Sequence, residues 1–132
     1  MDINKEIDHF INKINAGAEY AITQPIFAPE ALLDFIEKTN KKLNGNLTLP
    51  VVAGIWPLVS LKNALFLKNE VPGVYVPDSV IKKMEKAKTK EDGIKYGVEI
   101  ARDIKEKISS FVGGYQISAP FGKVDIALDV AK

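Results

Sequence analysis

Apolar residues recur with helical spacing from the start of the chain. Ile3, Ile7, Phe10, Ile11 and Ile14 fall at i, i+4, i+7, i+8 and i+11, one face of an amphipathic helix, and Gly17 supplies its C-terminal stop. Ala18 to Ile22 reads as a short, mostly apolar strand. Pro29 suits the first turn of a second helix that carries Leu32, Leu33, Ile36 and Leu43, and Asn44-Gly45-Asn46 ends it. Leu49-Pro50-Val51-Val52-Ala53-Gly54-Ile55 is apolar without alternation, as in a parallel strand covered on both faces; it stops at Trp56-Pro57. A third helix from about Ser60 to Leu67 precedes a turn-rich stretch, Glu70 to Asp78. Ser79 can cap a short helix carrying Val80, Ile81 and Met84. Thr89-Lys90-Glu91-Asp92 resembles a capping box, and Ile94, Val98, Ala101, Ile104 and Ile108 predict a helix over about 90–109. Gly113-Gly114 leads into a last strand, Tyr115 to Ser118, and a C-terminal helix starts near Lys123.

The order α-β-α-β-α-α-α-β-α implies right-handed crossovers and a parallel sheet. All three strands end alike, at Thr23-Gln24-Pro25, Ile55-Trp56-Pro57 and Ser118-Ala119-Pro120. The first two prolines are one β/α unit apart, and the next gap is close to two. Polar and aromatic groups at the carboxyl ends of parallel strands are where α/β folds, barrels above all, place their sites. Three strands cannot close a barrel, and so small a sheet exposes two edges. Three architectures fit: the C-terminal part of a larger β/α barrel, a sheet completed by a partner chain, or a small free-standing three-layer domain. A start on a helix favours the first two.

Composition narrows the partners. With 132 residues, 46% of them hydrophobic, the chain is one domain or a piece of one. Its 18 basic and 17 acidic side chains are interspersed, so no face argues for nucleic acid. The absence of cysteine removes thiolate chemistry, and the single histidine, His9, argues against a zinc site. No apolar run approaches the roughly 20 residues that cross a bilayer, and the first residues do not resemble a signal peptide. A soluble cytoplasmic protein is expected.

Few residues carry candidate chemistry. The Gln24 carboxamide offers one acceptor and two donors. From the sequence alone it serves equally well as a ligand contact or as a strand end bonded to local backbone. Thr23, on the opposite face by alternation, reads as structural. Glu6, His9 and Lys13, at i, i+3 and i+7, share one stripe of the first helix and read as a solvated face. Trp56 reads as a packing residue, and Tyr20 and Tyr115 as core. Gly113-Gly114 precedes a strand instead of opening a helix, so it reads as a turn and not as a phosphate loop.

These residues accumulate into a resemblance. Lys13-Ile14-Asn15-Ala16-Gly17-Ala18-Glu19-Tyr20-Ala21-Ile22-Thr23-Gln24-Pro25-Ile26-Phe27 resembles the K-x-x-A-G-A-x-x-x-I-T-Q-x-x-F segment of methylenetetrahydrofolate reductases. Gly54-Ile55-Trp56-Pro57-Leu58-Val59-Ser60-Leu61 with Asn69-Glu70-Val71-Pro72-Gly73 is similar to the same family, especially to the branch fused to homocysteine methyltransferase domains. Gly114-Tyr115-Gln116-Ile117-Ser118-Ala119-Pro120-Phe121 resembles that branch's final barrel strand. Three ordered blocks spanning essentially the whole chain make the signal specific.

The resemblance implies an α/β fold, the C-terminal portion of a (β/α)8 TIM barrel, with residues 1–132 forming one partial domain from the fifth helix through strands six, seven and eight. It implies an FAD-dependent oxidoreductase that reduces 5,10-methylenetetrahydrofolate to 5-methyltetrahydrofolate with NAD(P)H. Gln24 then contacts the folate. Glu6 lies near the FAD ribose, His9 stands where asparagine is usual, and Lys13 lies near the diphosphate. Leu61 holds the place of an aromatic that packs on the folate in some members, and Lys123 meets the folate carboxylate or is a surface charge. The family's acidic residue on the first strand and aspartate after the fourth have no counterpart, so the chain alone is expected to be inactive. The alternative is a non-catalytic half-barrel subunit that assembles as a homo-oligomer or with a partner chain.

Overall fold

The computed structural model describes residues 2–45 and 47–132. Helix α1 (Ile3–Asn15) is capped by Asp2, whose carboxylate accepts the Asn4 N–H at 2.9 Å, and Gly17 ends its exit turn at φ +103°. There follow β1 (Ala21–Pro25), α2 (Pro29–Leu43), β2 (Val51–Ile55), α3 (Leu61–Glu70), α4 (Asp78–Glu85) and α5 (Lys90–Ile108). Strand β3 (Gly114–Ile117), a 3-10 turn (Pro120–Gly122) and α6 (Val124–Ala131) complete the chain. The strands are parallel in the order β1-β2-β3, and with the six α-helices among the described residues they make an α/β segment of the kind that builds a TIM barrel. Among the described residues no helix is long and apolar enough to cross a membrane.

Several boundaries and one residue differ from the expectation; α3, for one, runs to Glu70, three residues past the expected Leu67. Strand β1 begins three residues late. The Ala18 N–H is still bonded to the Lys13 carbonyl at 3.1 Å, and Ala21 is the first to reach β2, donating to Pro50 at 3.0 Å. Thr23, Gln24 and Pro25 therefore lie within the strand. Tyr20, in the approach to it, is 61% exposed and not part of the core. Helix α4 starts at Asp78 with Pro77 at its cap, so Ser79 sits inside the first turn. The stop after α2 falls on Asn44, left-handed at φ +54°; Asn46 lies outside the described residues.

The core lies on one face of the sheet. Val51, Ala53 and Ile55 are buried, and Ala53 and Ile55 join Leu58, Leu67, Met84, Ile100, Ile104 and Ile108 in one cluster. On the other face Ile22 is 57% exposed, and its neighbour Val52 is only half-buried. The two-sided cover expected for β2 is thus complete on one side alone, as on a barrel strand whose inward side chains pack against those of the barrel's other strands. Helix α5 presses on the segment that leaves β2. A Cβ on Gly97 would overlap the Leu58 carbonyl oxygen, and one on Gly93 the Val59 oxygen. Glycine at both positions is what lets the helix approach the backbone so closely.

Candidate functional site

A cleft of about 550 Å³ runs beside the free edge of β1, bounded by α1, α2 and the loop before α4. Its volume is within the range of small-molecule sites, roughly 300–1,000 Å³. Packing fixes the orientation of α1. Ile7 is buried, the Phe10 ring lies 5.6 Å from that of Phe35, and Asp8 pairs with Lys42 at 2.6 Å. This turns Glu6, His9 and Lys13, all exposed, into the cleft wall.

The end of β1 is built around a hydroxyl. Ile22 pairs with Val52 and Pro25 with Gly54, so β1 carries one residue more than β2 over this interval, a bulge. The Thr23 hydroxyl fills the resulting gap: it accepts the Gly54 N–H at 2.9 Å and donates to the Gln24 carbonyl at 2.8 Å. Gly54 makes room for the bulged backbone, since a Cβ there would stand 2.8 Å from the Thr23 carbonyl oxygen. Among the described residues the local bonds run through Thr23 and the Gln24 backbone, which leaves the exposed Gln24 carboxamide open to the cleft.

Four of the five site residues singled out in the sequence, Glu6, His9, Lys13 and Gln24, therefore meet on one cleft. Leu61 does not. It is the first residue of α3, half-buried against the core. Lys123, between the 3-10 turn and α6, also stands outside the cleft. The set is chemically mixed: an ammonium suited to phosphate oxygens, a carboxylate that accepts from sugar hydroxyls, an imidazole, and an amide with donors and an acceptor. Such a row can hold a polar ligand that carries both phosphate and hydroxyl groups.

Tyr75 also lines the cleft, although in the sequence it reads only as part of a turn. The signal that could have found it is alternation: Val74 and Val76 are buried on either side of an exposed ring. Trp56 packs half-buried against the core, as expected, although its buried indole Nε1 has no partner among the described residues.

A second hollow, near α6, is structural. Arg102 donates to the Asp129 carbonyl, and Lys105 to those of Val130 and Ala131 at 3.2 and 3.0 Å, so two cations cap the helix's C-terminal oxygens. Tyr115 donates to the Lys105 carbonyl at 3.0 Å, and burial holds its phenol above the usual value.

Comparison with known proteins bears on the family and the fold. Over 112 residues the chain is 32% identical to methylenetetrahydrofolate reductase 2 of Schizosaccharomyces pombe, covering 83% of this chain and 17% of that protein. It is 26% identical over 110 residues to a probable methylenetetrahydrofolate reductase (NADH) of Oryza sativa subsp. japonica, covering 80% of this chain and 17% of that one. The chain thus spans about a sixth of the length of these relatives. Among solved structures, an uncharacterized protein from Clostridium thermocellum that binds two copies of 5-methyl-5,6,7,8-tetrahydrofolic acid superposes with a TM-score of 0.62 at 22% identity. The match covers 98% of this chain and 47% of that one, and it shows a shared fold. The family pattern for methylenetetrahydrofolate reductase matches residues 1–114, and the chain belongs to that family.

Proposed function

We propose that residues 1–132 form the C-terminal, folate-facing part of a methylenetetrahydrofolate reductase-type barrel and supply part of its FAD site. The observation that carries this reading is the meeting of Gln24 with Glu6, His9 and Lys13 on one cleft. The Gln24 amide orients the pterin, whose edge mixes donors and acceptors. Lys13 neutralises the FAD diphosphate, Glu6 accepts from the ribose hydroxyls, and His9 takes the asparagine's place between them. Leu61, apart from the cleft, is an apolar lining for the distal part of the folate. When bound, flavin supplies hydride transfer between a nicotinamide cofactor and the folate's methylene carbon. The chain's own contribution is orientation and electrostatics. Family membership supports the reading, as does the folate bound by the Clostridium thermocellum neighbour.

Calorimetric titration of the 132-residue chain with 5-methyltetrahydrofolate tests it. The expected result is binding that weakens about tenfold in Gln24→Ala, the loss of one or two good hydrogen bonds, and holds in Lys13→Ala. With FAD the ranking of the two variants reverses. A wild-type chain indifferent to the folate at millimolar concentration overturns the proposal.

A second reading, a half-barrel subunit that assembles with itself or with a partner chain, is favoured by the sheet. Both outer strands, β1 and β3, have an open edge among the described residues, and Ile22 exposes an isoleucine on the uncovered face.

A further inference from the structure

Tyr75 is 68% exposed. Its backbone is pinned on both sides. Val74 and Val76 are 7% and 1% exposed within the core cluster, and Pro77 fixes the entry to α4. Before it, Gly73 turns at φ +82°, and the Val74 N–H bonds the Val71 carbonyl at 3.4 Å. A chain held this way presents Tyr75 outward and leaves it only two side-chain torsions to order on binding.

The ring lines the same cleft as Gln24. Residues Ile26, Phe27 and Ala28, which carry the chain on from the end of β1, line it too. The other aromatic rings of the cleft, Phe10, Phe27 and Phe35, are buried or half-buried in its wall, so among the described residues Tyr75 alone offers it a largely exposed ring. Leu61, outside the cleft, has no π-surface to offer.

We propose that Tyr75 is the aromatic platform of this cleft, stacking on the planar heterocycle of the ligand whose edge Gln24 reads. The proposal rests on the folate reading of the cleft. An amide fixes the in-plane orientation of a flat ring, and an aromatic face fixes its tilt, so each supplies what the other lacks. The platform selects flat, conjugated ligands over extended ones of equal polarity.

The test is titration of the full chain with 5-methyltetrahydrofolate in four forms: wild type, Tyr75→Phe, Tyr75→Ala and Tyr75→Trp. Stacking predicts affinity kept in Tyr75→Phe, lowered about three- to tenfold in Tyr75→Ala, and kept or raised in Tyr75→Trp, with the emission of the added indole quenched on binding. Tyr75 is exposed, so thermal unfolding of Tyr75→Ala is expected to match wild type, which separates lost contact from lost fold. If the wild type binds and Tyr75→Ala binds equally well, or the indole emission of Tyr75→Trp stays unchanged, the platform is overturned while the folate reading stands. A wild type that does not bind removes both.

Discussion

At the scale of single residues, the Thr23 hydroxyl decides how the strand end is made. It stands in for a backbone carbonyl in the ladder, taking the Gly54 N–H and returning a bond to Gln24. Thr23→Val keeps the volume but strands that N–H at a half-buried strand end, at a cost of about 1–3 kcal/mol. Urea unfolding checks it, and Thr23→Ser is expected to recover most of the loss. A valine variant as stable as wild type would mean that water replaces the hydroxyl freely. The sequence made Gln24 and Thr23 legible as a pair with different tasks, because few strands need Thr-Gln-Pro at their end. It did not reveal the bulge, which depends on Gly54, a residue thirty-one positions from Thr23 that local patterning cannot weigh. The same blindness moved the start of β1, since Ala18 and Tyr20 look strand-like until a hydrogen-bonding partner is required of them.

At the scale of elements, α5 was the most readable part of the chain and its contact the least. Its apolar period predicts the helix to within about a residue, and Thr89 caps it by accepting the Asp92 N–H at 3.1 Å. The reciprocal bond differs from a standard box: the Asp92 carboxylate reaches the Lys88 N–H, at 3.2 Å, one residue further back. Gly93 and Gly97 are weak helix formers by intrinsic propensity. In the fold they form a smooth track over the Leu58 and Val59 carbonyls. Gly97→Ala, which would raise helix propensity in an isolated peptide, is therefore expected to destabilise the protein at or beyond the top of the ~1–3 kcal/mol range for overpacking. A thermal melt decides the sign. An unchanged or higher midpoint would show that α5 can lift off the loop at little cost.

At the scale of the whole molecule, the three blocks resembling one family pointed to the fold, and the match over residues 1–114, which takes in the first two blocks, bears out the family. The sheet's bare face was legible only as too few strands; that Ile22 is the residue left out required the register. An apolar side chain beside an open strand edge promotes association between chains. The expected result is a mass that rises with concentration in light scattering, and a shift toward the monomer in Ile22→Lys, a charge of the kind natural edges use. A wild type that stays monomeric at high concentration would remove self-assembly from the second reading.

Each strand pairs only with the strand next to it in sequence, β1 with β2 and then β2 with β3. The first pairing closes a loop of about thirty residues and the second one of about sixty, and a doubling of length adds only about 0.6 kcal/mol of closure entropy. No pairing in this sheet waits for a strand made much earlier or much later. Such a stretch can order itself from front to back as it leaves the ribosome, and it can be moved between longer proteins as a block without breaking a hydrogen-bonded pair inside it.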